Sequence, residues 1–308
     1  MSQPRIESWT VEPAWAWLRV DIFLALQMHW RSRRWLVERL DQGKVRVNGQ
    51  PTKKARRLAV GDVVALEVPP PDVAPDDLGA IPLHVLFEDA DLVVVDKPSN
   101  LAVHAASPCH HRNLLARVRH RYRHEVVDDR ASPAIVHRLD RSTTGVIAFA
   151  RRAELVPFYM AQFERRSVRK HYFALVHGVP ADTGTIDLPL LLRPGATVVV
   201  DDRGKPCRTE WEVVERAPAA AMLRISLHTG RKHQIRVHLA AIGHPILYDD
   251  RYGRLHEQSL WPPDCGPQLH ASRLELDHTD HRRMVFEAPL PEAMSLTWQE
   301  QRASPIGS

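Results

Sequence analysis

One carboxylate stands among arginines in the segment IVHRLDRSTTGVIAF. Asp140 lies between Arg138 and Arg141, and two threonines and a glycine follow. If this segment is extended, side chains two residues apart share a face, so Arg138 and Asp140 project together. A neighbouring cation keeps a carboxylate ionised, and an ionised carboxylate suits a nucleophile or an electrostatic stabiliser. The alternative is a loop ion pair without a chemical role.

Two further segments place polar side chains beside apolar ones. In TGRKHQIRVHLAAIGHP, helical spacing sets His233 and Arg236 on one side and apolar residues on another, so the basic side faces something acidic. In RKHYFALVHG, alternation brings the phenol of Tyr172 to an apolar wall. The alternatives are a solvated amphipathic helix for the first segment and an ordinary core strand for the second.

The elements that must position these residues fall into two regions. In the first, Val20, Phe23, Leu24 and Met28 share one helical stripe. A second short helix follows, which Gly43 can close, and then a hairpin signal at residues 48–49 and short strands. The segment PPPDVAPDDLGA has no apolar period and is typical of an exposed linker.

The second region reads as many strands with interspersed helices and no regular βαβ rhythm. This pattern predicts an α+β fold with a mixed, largely antiparallel sheet, preceded by a small N-terminal α/β domain. We predict a first domain over residues 1–71, a linker over 72–80, a larger domain over 81–301 and a disordered tail over 302–308.

Positive charge is concentrated at the start of the chain. The 308 residues carry a net charge of +5, and residues 1–71 hold 12 Lys and Arg against 7 Asp and Glu, whereas residues 72–308 hold 30 of each. A compact basic surface is typical of nucleic-acid binders, because neutralising phosphates releases counterions. An ordinary solvated face is the alternative.

The first region resembles the S4 RNA-binding domain, in particular SRRWLVERLDQGKVRVNGQ and LAVGDVVALEV. The resemblance covers roughly residues 17–69 and implies contact with structured RNA. The basic side chains that it implies for this contact are Arg31, Arg33, Arg34, Lys53, Lys54, Arg56 and Arg57.

The second region resembles the pseudouridine synthases of the RluA family over about residues 81–290, through HRLDRSTTG, KHYFALVHG and TGRKHQIRVHLAAIGHPI. The resemblance implies that Asp140 is the catalytic aspartate and that Arg138 enters the RNA helix as the target nucleotide flips. It also implies that Tyr172 packs on the base and that Arg236 pairs with the aspartate. Arg231, Lys232 and His233 stand beside this set as candidate RNA contacts.

The resemblance implies isomerisation of specific uridines in structured RNA, and 23S ribosomal RNA is the expected substrate. The N1–C1′ bond breaks and a C5–C1′ bond forms with no atom gained or lost, so no cofactor is required. The carboxylate attacks C1′ or C6 or assists departure of the base, and Tyr172 is a candidate to remove the C5 proton. The alternatives are the same enzyme acting on transfer RNA and a non-catalytic RNA-binding assembly factor.

Other features define the expected context. No apolar run reaches the roughly 20 residues of a membrane-spanning helix, and the three cysteines are too few and too scattered for a disulfide framework. We expect a monomeric cytoplasmic protein with no membrane, metal or protein partner. The cluster HAASPCHHR matches no zinc spacing. Asn100 and Tyr248 stand where the family usually has glycine, and asparagine tolerates left-handed backbone angles.

Overall fold

The computed structural model describes residues 5–28, 33–68, 82–104, 113–124, 132–253, 261 and 265–303. Contacts between Cα atoms divide the chain into two compact units. One comprises Met1–Val73, Tyr122–Ser132 and Arg152–Pro157, and the other comprises Ala74–Arg121, Pro133–Arg151 and Phe158–Ser308. The predicted linker over 72–80 lies outside the described residues, and the predicted domain borders remain predictions.

The first unit contains two helices and a four-stranded antiparallel sheet in the order β1-β4-β2-β3. Its elements are β1 (Arg5–Thr10), α1 (Val20–Gln27), α2 (Arg33–Asp41), β2 (Val45–Val47), β3 (Gln50–Pro51) and β4 (Val63–Val68).

The core of the first unit follows the predicted helical stripe. Val20, Phe23, Leu24 and Met28 are all fully buried, and they pack with apolar residues of α2 and the sheet. The hairpin between β2 and β3 turns where the sequence predicts, because Asn48 and Gly49 both have positive φ angles, 52° and 77°. Local sequence patterns therefore predict this unit correctly, apart from β1.

The second unit is built on a ten-stranded sheet with the main order β10-β13-β14-β9-β15-β8-β6-β5; β16 pairs with β15, and β7 pairs with β8. Only β8 and β15 run parallel among the described pairs, so the sheet is mixed and largely antiparallel, as predicted. A separate hairpin pairs β11 with β12. The strands are β5 (His84–Glu88), β6 (Leu92–Lys97), β7 (Ala134–Ile135), β8 (Thr144–Ala150), β9 (Arg169–His177), β10 (Thr183–Asp187), β11 (Leu190–Leu192), β12 (Val198–Val200), β13 (Arg208–Arg216), β14 (Ala220–Leu227), β15 (Leu269–Asp277) and β16 (Arg283–Glu287).

The helices of this region are α3 (Leu114–Arg121), α4 (Val156–Glu164), α5 (Gln234–Ala241) and α6 (Glu292–Ala303). α6 was not predicted. Its Met294 and Trp298, one turn apart, are buried against the core, which stabilises a helix at the end of the chain. Arg302 and Ala303 are therefore helical, in contrast to the predicted tail, and residues 304–308 lie outside the described chain.

Gly145, which follows Thr143 and Thr144, is required at its position for a steric reason. Gly145 has a φ of 105°, and a Cβ atom there would lie 2.2 Å from the carbonyl oxygen of Ala271. Gly145 and Ala271 are register partners in the parallel pair of β8 and β15. Only glycine allows this approach of two backbones, which fixes the strand directly after the Asp140 loop against β15.

Candidate active site

One cavity of about 440 Å³ in the second unit collects the residues that the sequence singles out for chemistry. It is formed by the loop between β7 and β8, strand β9, the end of β14 and the start of α5. The predicted residues that line it are Arg138, Asp140, Tyr172, Arg231, His233 and Arg236. The volume lies within the range of roughly 300–1,000 Å³ of small-molecule sites.

Asp140 lies in the loop between β7 and β8. Its backbone carbonyl accepts a hydrogen bond from the Thr143 amide at 3.2 Å, which closes a turn over residues 140–143. Its side chain is partly buried, with 22% of its surface exposed, whereas Arg138 is exposed. The carboxylate therefore faces the cavity while keeping access to solvent.

Lys97, at the end of β6, is a buried cation close to this loop. Its side chain is fully buried, and Nζ donates hydrogen bonds to the carbonyls of Pro98, Leu101 and Arg141 at 2.8, 3.0 and 2.9 Å. Burial lowers the pKa of Lys97 to about 7, although the negative charges of Asp140 and Asp96 oppose this shift. Lys97 thus connects the loop after β6 to the residue that follows Asp140.

The imidazole of His233 lies close to the carboxylate of Asp140. Its Nε2 lies 4.0 Å from Asp140 Oδ1, and its Nδ1 lies 2.8 Å from the Tyr252 hydroxyl. That hydroxyl accepts a hydrogen bond from the Val198 amide, so its own proton is available to Nδ1. Burial lowers the pKa of His233, with Asp140 opposing. If Nδ1 accepts the hydrogen bond from Tyr252, a neutral His233 carries its proton on Nε2, the ring nitrogen nearer to Asp140.

A left-handed turn places His233 at the start of α5. Its φ is 54°, and the buried side chain of Gln234 holds the turn together. Gln234 Oε1 accepts hydrogen bonds from the Thr229 hydroxyl and the Arg231 amide, while Nε2 donates to the Arg208 carbonyl. The turn is thereby fixed to β13, and His233 is held at the cavity wall.

Arg236 lines the cavity but does not pair with Asp140, in contrast to what the resemblance implies. Its Nε and Nη2 donate to the buried carboxylate of Asp249 at 2.7 Å each, and Nη2 also donates to Asp250 at 2.8 Å. Burial lowers the pKa of Arg236, but the hydrogen bonds from Arg236 to Asp249 and the negative charges of Asp249, Asp140 and Asp250 raise it. The net effect is a raised pKa for Arg236. Arg236 acts on Asp140 only through longer-range electrostatics.

Tyr172 and Lys170 lie two residues apart on β9, and both line the cavity. Burial, and then the charge of Asp140, raise the pKa of Tyr172, so its side chain is a neutral phenol at neutral pH. Burial lowers the pKa of Lys170 to about 8, and Nζ donates to the Thr229 carbonyl at 3.2 Å. The raised pKa favours a packing or donor role for Tyr172 and opposes a role as proton acceptor.

A second cavity of about 610 Å³ adjoins the first through Arg138 and Asp140. Its apolar wall comes from the hairpin of β11 and β12, and its basic wall comes from the segment between β12 and β13 and from the residues directly after Gly230. The basic residues that line it are Arg138, Arg203, Lys205, Arg231 and Lys232. Lys232, predicted as an RNA contact, therefore lines this second cavity rather than the first.

The basic residues predicted in the first unit are only partly described. Arg31 lies outside the described residues, and Arg33 and Arg34 belong to α2, where only their backbone is described. The side chains of the other four are exposed in the loop between β3 and β4, namely Lys53, Lys54, Arg56 and Arg57.

Four residues of the site have no role in the sequence analysis. Lys97 follows an apolar run, and that position could have indicated a buried cation. Lys170 lies two positions from Tyr172, so the strand period places both on one face. Asp249 and Tyr252 follow Tyr248, whose φ of 60° is unusual for a bulky residue, and no local pattern indicates them. Asn100 has a φ of 58°, as expected for asparagine at a glycine position.

No group of three His, Cys, Asp or Glu residues able to hold a metal ion occurs among the described residues. Most of the HAASPCHHR cluster lies outside them. None of the described helices has the length and apolar character needed to cross a membrane.

Comparisons with known proteins match both regions of the chain. A family model described as RNA pseudouridylate synthase matches residues 91–241, and a model of the S4 domain matches residues 18–64. The ribosomal large subunit pseudouridine synthase C of Escherichia coli (strain K12) is 33% identical, with 92% of this chain and 93% of that protein covered. The ribosomal large subunit pseudouridine synthase D of Nitrosomonas europaea is 38% identical, with 74% and 68% covered.

Solved structures match the fold as well. The structure described as Human RNA Pseudouridylate Synthase Domain Containing 4 aligns with a TM-score of 0.59 at 22% identity, covering 71% of this chain and 93% of that one. At this identity, the match supports the α+β architecture alone.

Proposed function

Because the chain belongs to the RNA pseudouridylate synthase family, we propose that it converts uridine to pseudouridine in the RNA of the large ribosomal subunit. The RNA class is supported by relatives whose names specify the large ribosomal subunit and that match over most of this chain, such as the Escherichia coli protein. The S4 match adds an RNA-binding region of the kind expected for a structured substrate.

The observation that carries the proposal is the single cavity that brings Asp140 together with Tyr172, His233 and Arg236. A pure RNA-binding protein has no use for a carboxylate that faces an anionic ligand, because the two charges repel. An isomerase needs this carboxylate to promote cleavage of the N1–C1′ bond. The proposal assigns that role to Asp140.

We assign the entry of the base to Arg138. A uridine in a stem or a stacked loop must leave its stack before the carboxylate can reach it, which costs a few kcal/mol. Arg138 is exposed and lines both cavities, two residues from Asp140. Its guanidinium is thus available to fill the vacated position, while the base enters the cavity beside Tyr172.

The groups around Asp140 have separate tasks in this proposal. His233 places its Nε2 atom 4.0 Å from the carboxylate, and the Tyr252 hydroxyl fixes the ring from the other side. Arg236, in α5, holds the segment after α5 in place through Asp249 and adds positive potential in the cavity. Tyr172 contributes a neutral phenol that packs against the uracil.

The experiment measures release of tritium from ribosomal RNA labelled at C5 of uridine, with labelled transfer RNA as a parallel substrate. We expect Asp140→Asn to reduce the rate by on the order of 10⁴-fold or more, the scale on which loss of a catalytic nucleophile acts. Asp202→Asn is the matched control, because Asp202 is exposed and lines neither cavity.

Equal release from Asp140→Asn and the wild type would refute the role of Asp140. Release from transfer RNA but not from ribosomal RNA would refute the proposed substrate and leave the isomerase assignment intact.

A further inference from the structure

Trp17 is an exposed tryptophan in a strained backbone conformation in the first unit. It leaves 75% of its surface exposed, the largest exposed fraction among the described large apolar residues. Its φ is 65°, in the left-handed region that bulky residues rarely adopt. Trp17 lies one residue before the part of the chain that matches the S4 domain. Neither the cavity nor the basic residues discussed above explain it.

The strain persists because the neighbouring segment holds the backbone on both sides of Trp17. The Trp17 amide donates to the Leu58 carbonyl at 2.7 Å, and Arg57 Nη1 donates to the Trp17 carbonyl at 3.0 Å. The Leu58 amide donates to the Leu18 carbonyl at 3.0 Å. These bonds fix the turn, and the turn directs the indole into solvent, where it contributes little buried apolar area.

The same hydrogen bonds place the indole next to the basic loop. Residues 17–21 run beside residues 54–58: the Val20 amide donates to the Arg56 carbonyl at 2.9 Å, and the Asp21 amide donates to the Lys54 carbonyl at 3.4 Å. Residues 53–57, with the sequence KKARR, contain four cations and no acid, and all of these cations are exposed. An aromatic face thus adjoins a row of positive charge.

We propose that Trp17 is a stacking platform for an unpaired base of the RNA substrate, with Arg57 and the adjoining cations contacting its phosphates. An exposed indole beside exposed cations is the combination that binds single-stranded nucleotides, because every base has a face that stacks and every linkage carries a negative charge. Arg56 also lies 3.8 Å from Asp62, but four exposed cations within five residues keep the row strongly positive, which favours a polyanion over a protein partner. The proposal rests on the proposed function only in taking RNA as the substrate.

The test compares binding of two fluorescein-labelled RNA hairpins with the same stem, one blunt and one with a single-stranded cytidine overhang. Cytidine excludes turnover, so the result does not depend on catalysis. For Trp17→Ala we expect affinity for the overhang hairpin to fall roughly fivefold to a hundredfold, with the blunt hairpin much less affected. The salt dependence should not change, because no charge is removed. Ile6→Ala is the control, since Ile6 is 70% exposed in β1 opposite Glu67.

Two further variants separate stacking from folding. Trp17→Gly suits the positive φ, so it should melt at or above the wild-type temperature and still lose affinity for the overhang hairpin. Trp17→Phe keeps a stacking ring and should retain most of the affinity. Unchanged binding in Trp17→Ala, equal loss on both hairpins, or equal loss in Trp17→Phe and Trp17→Ala would each overturn the proposal. The tritium assay tests the proposed function independently.

Discussion

The buried ammonium group of Lys97 stabilises the loop that carries Asp140. Its three carbonyl acceptors come from the loop after β6 and from Arg141, so one side chain joins two segments that are distant in sequence. We expect Lys97→Met to lower the free energy of unfolding by roughly 2–4 kcal/mol, because buried carbonyls lose their donor. Urea unfolding measures this difference, with Lys205→Met, at an exposed position, as the control.

The lowered pKa of Lys97 also predicts a dependence on pH. In the folded protein the pKa is about 7, whereas the ordinary value is 10.5, so between these values the unfolded chain binds more protons. Stability from this group therefore rises as pH increases from about 7 to about 10. Lys97→Met lacks the group, so the stability difference between the wild type and the variant should widen over that range. A constant difference would contradict the lowered pKa.

Sequence reasoning predicts those residues of the site whose roles follow from local spacing. Arg138 and Asp140, two positions apart, do line the same two cavities, and the strand period places Tyr172 at the wall of the first. The partner of Arg236 could not be predicted in this way. Asp249 comes from an irregular segment after α5. Arg236 pairs with Asp249 rather than with Asp140 because that segment folds back onto α5.

Among the strands, Gly145 connects the loop that carries Asp140 to the sheet. Gly145→Ala places a Cβ atom 2.2 Å from the Ala271 carbonyl oxygen, at a φ that alanine avoids. We expect the free energy of unfolding to fall by roughly 3 kcal/mol or more. Activity should fall too, because Gly145 fixes the start of β8, which directly follows the Asp140 loop, against β15.

Gly266→Ala is the matched control for this substitution. A Cβ atom there would meet only the side chains of Ser142 and Ser99, at 3.7 and 3.8 Å, which are ordinary contacts. The control should stay within roughly 1 kcal/mol of the wild type in urea unfolding. Similar stabilities for the two variants would show that the approach of β8 to β15 can relax.

Elements with a clear apolar period were predicted, and elements held by tertiary pairing were not. The stripe of α1 and the apolar run of β6 are visible in the sequence because their own residues are buried. In contrast, β1 has an alternately exposed, polar sequence and exists because it pairs with β4. The hairpin of β11 and β12 likewise forms outside the main sheet. Its strands have only three residues each, which is too short for a sequence pattern to distinguish them from a loop.

Charge and chemistry are divided between the two parts of the chain. Residues 1–71 carry the excess of basic residues, whereas residues 72–308 carry equal numbers of acidic and basic residues. All residues that line the cavity around Asp140 belong to the second unit. Binding strength and the chemical step should therefore respond to different substitutions.

The double substitution of Lys53 and Lys54 by Gln tests this division. Both side chains are exposed, and their removal should reduce the slope of log Kd against log salt by about two, since each phosphate contact contributes about one. The kcat for tritium release at saturating RNA should stay unchanged, because the cavity keeps its residues. Arg302→Gln, which removes an exposed charge from α6 in the second unit, is the control and should leave the slope near the wild-type value. A wild-type slope in the double variant would place the phosphate contacts elsewhere, and a lower kcat would show that these lysines also affect the chemical step.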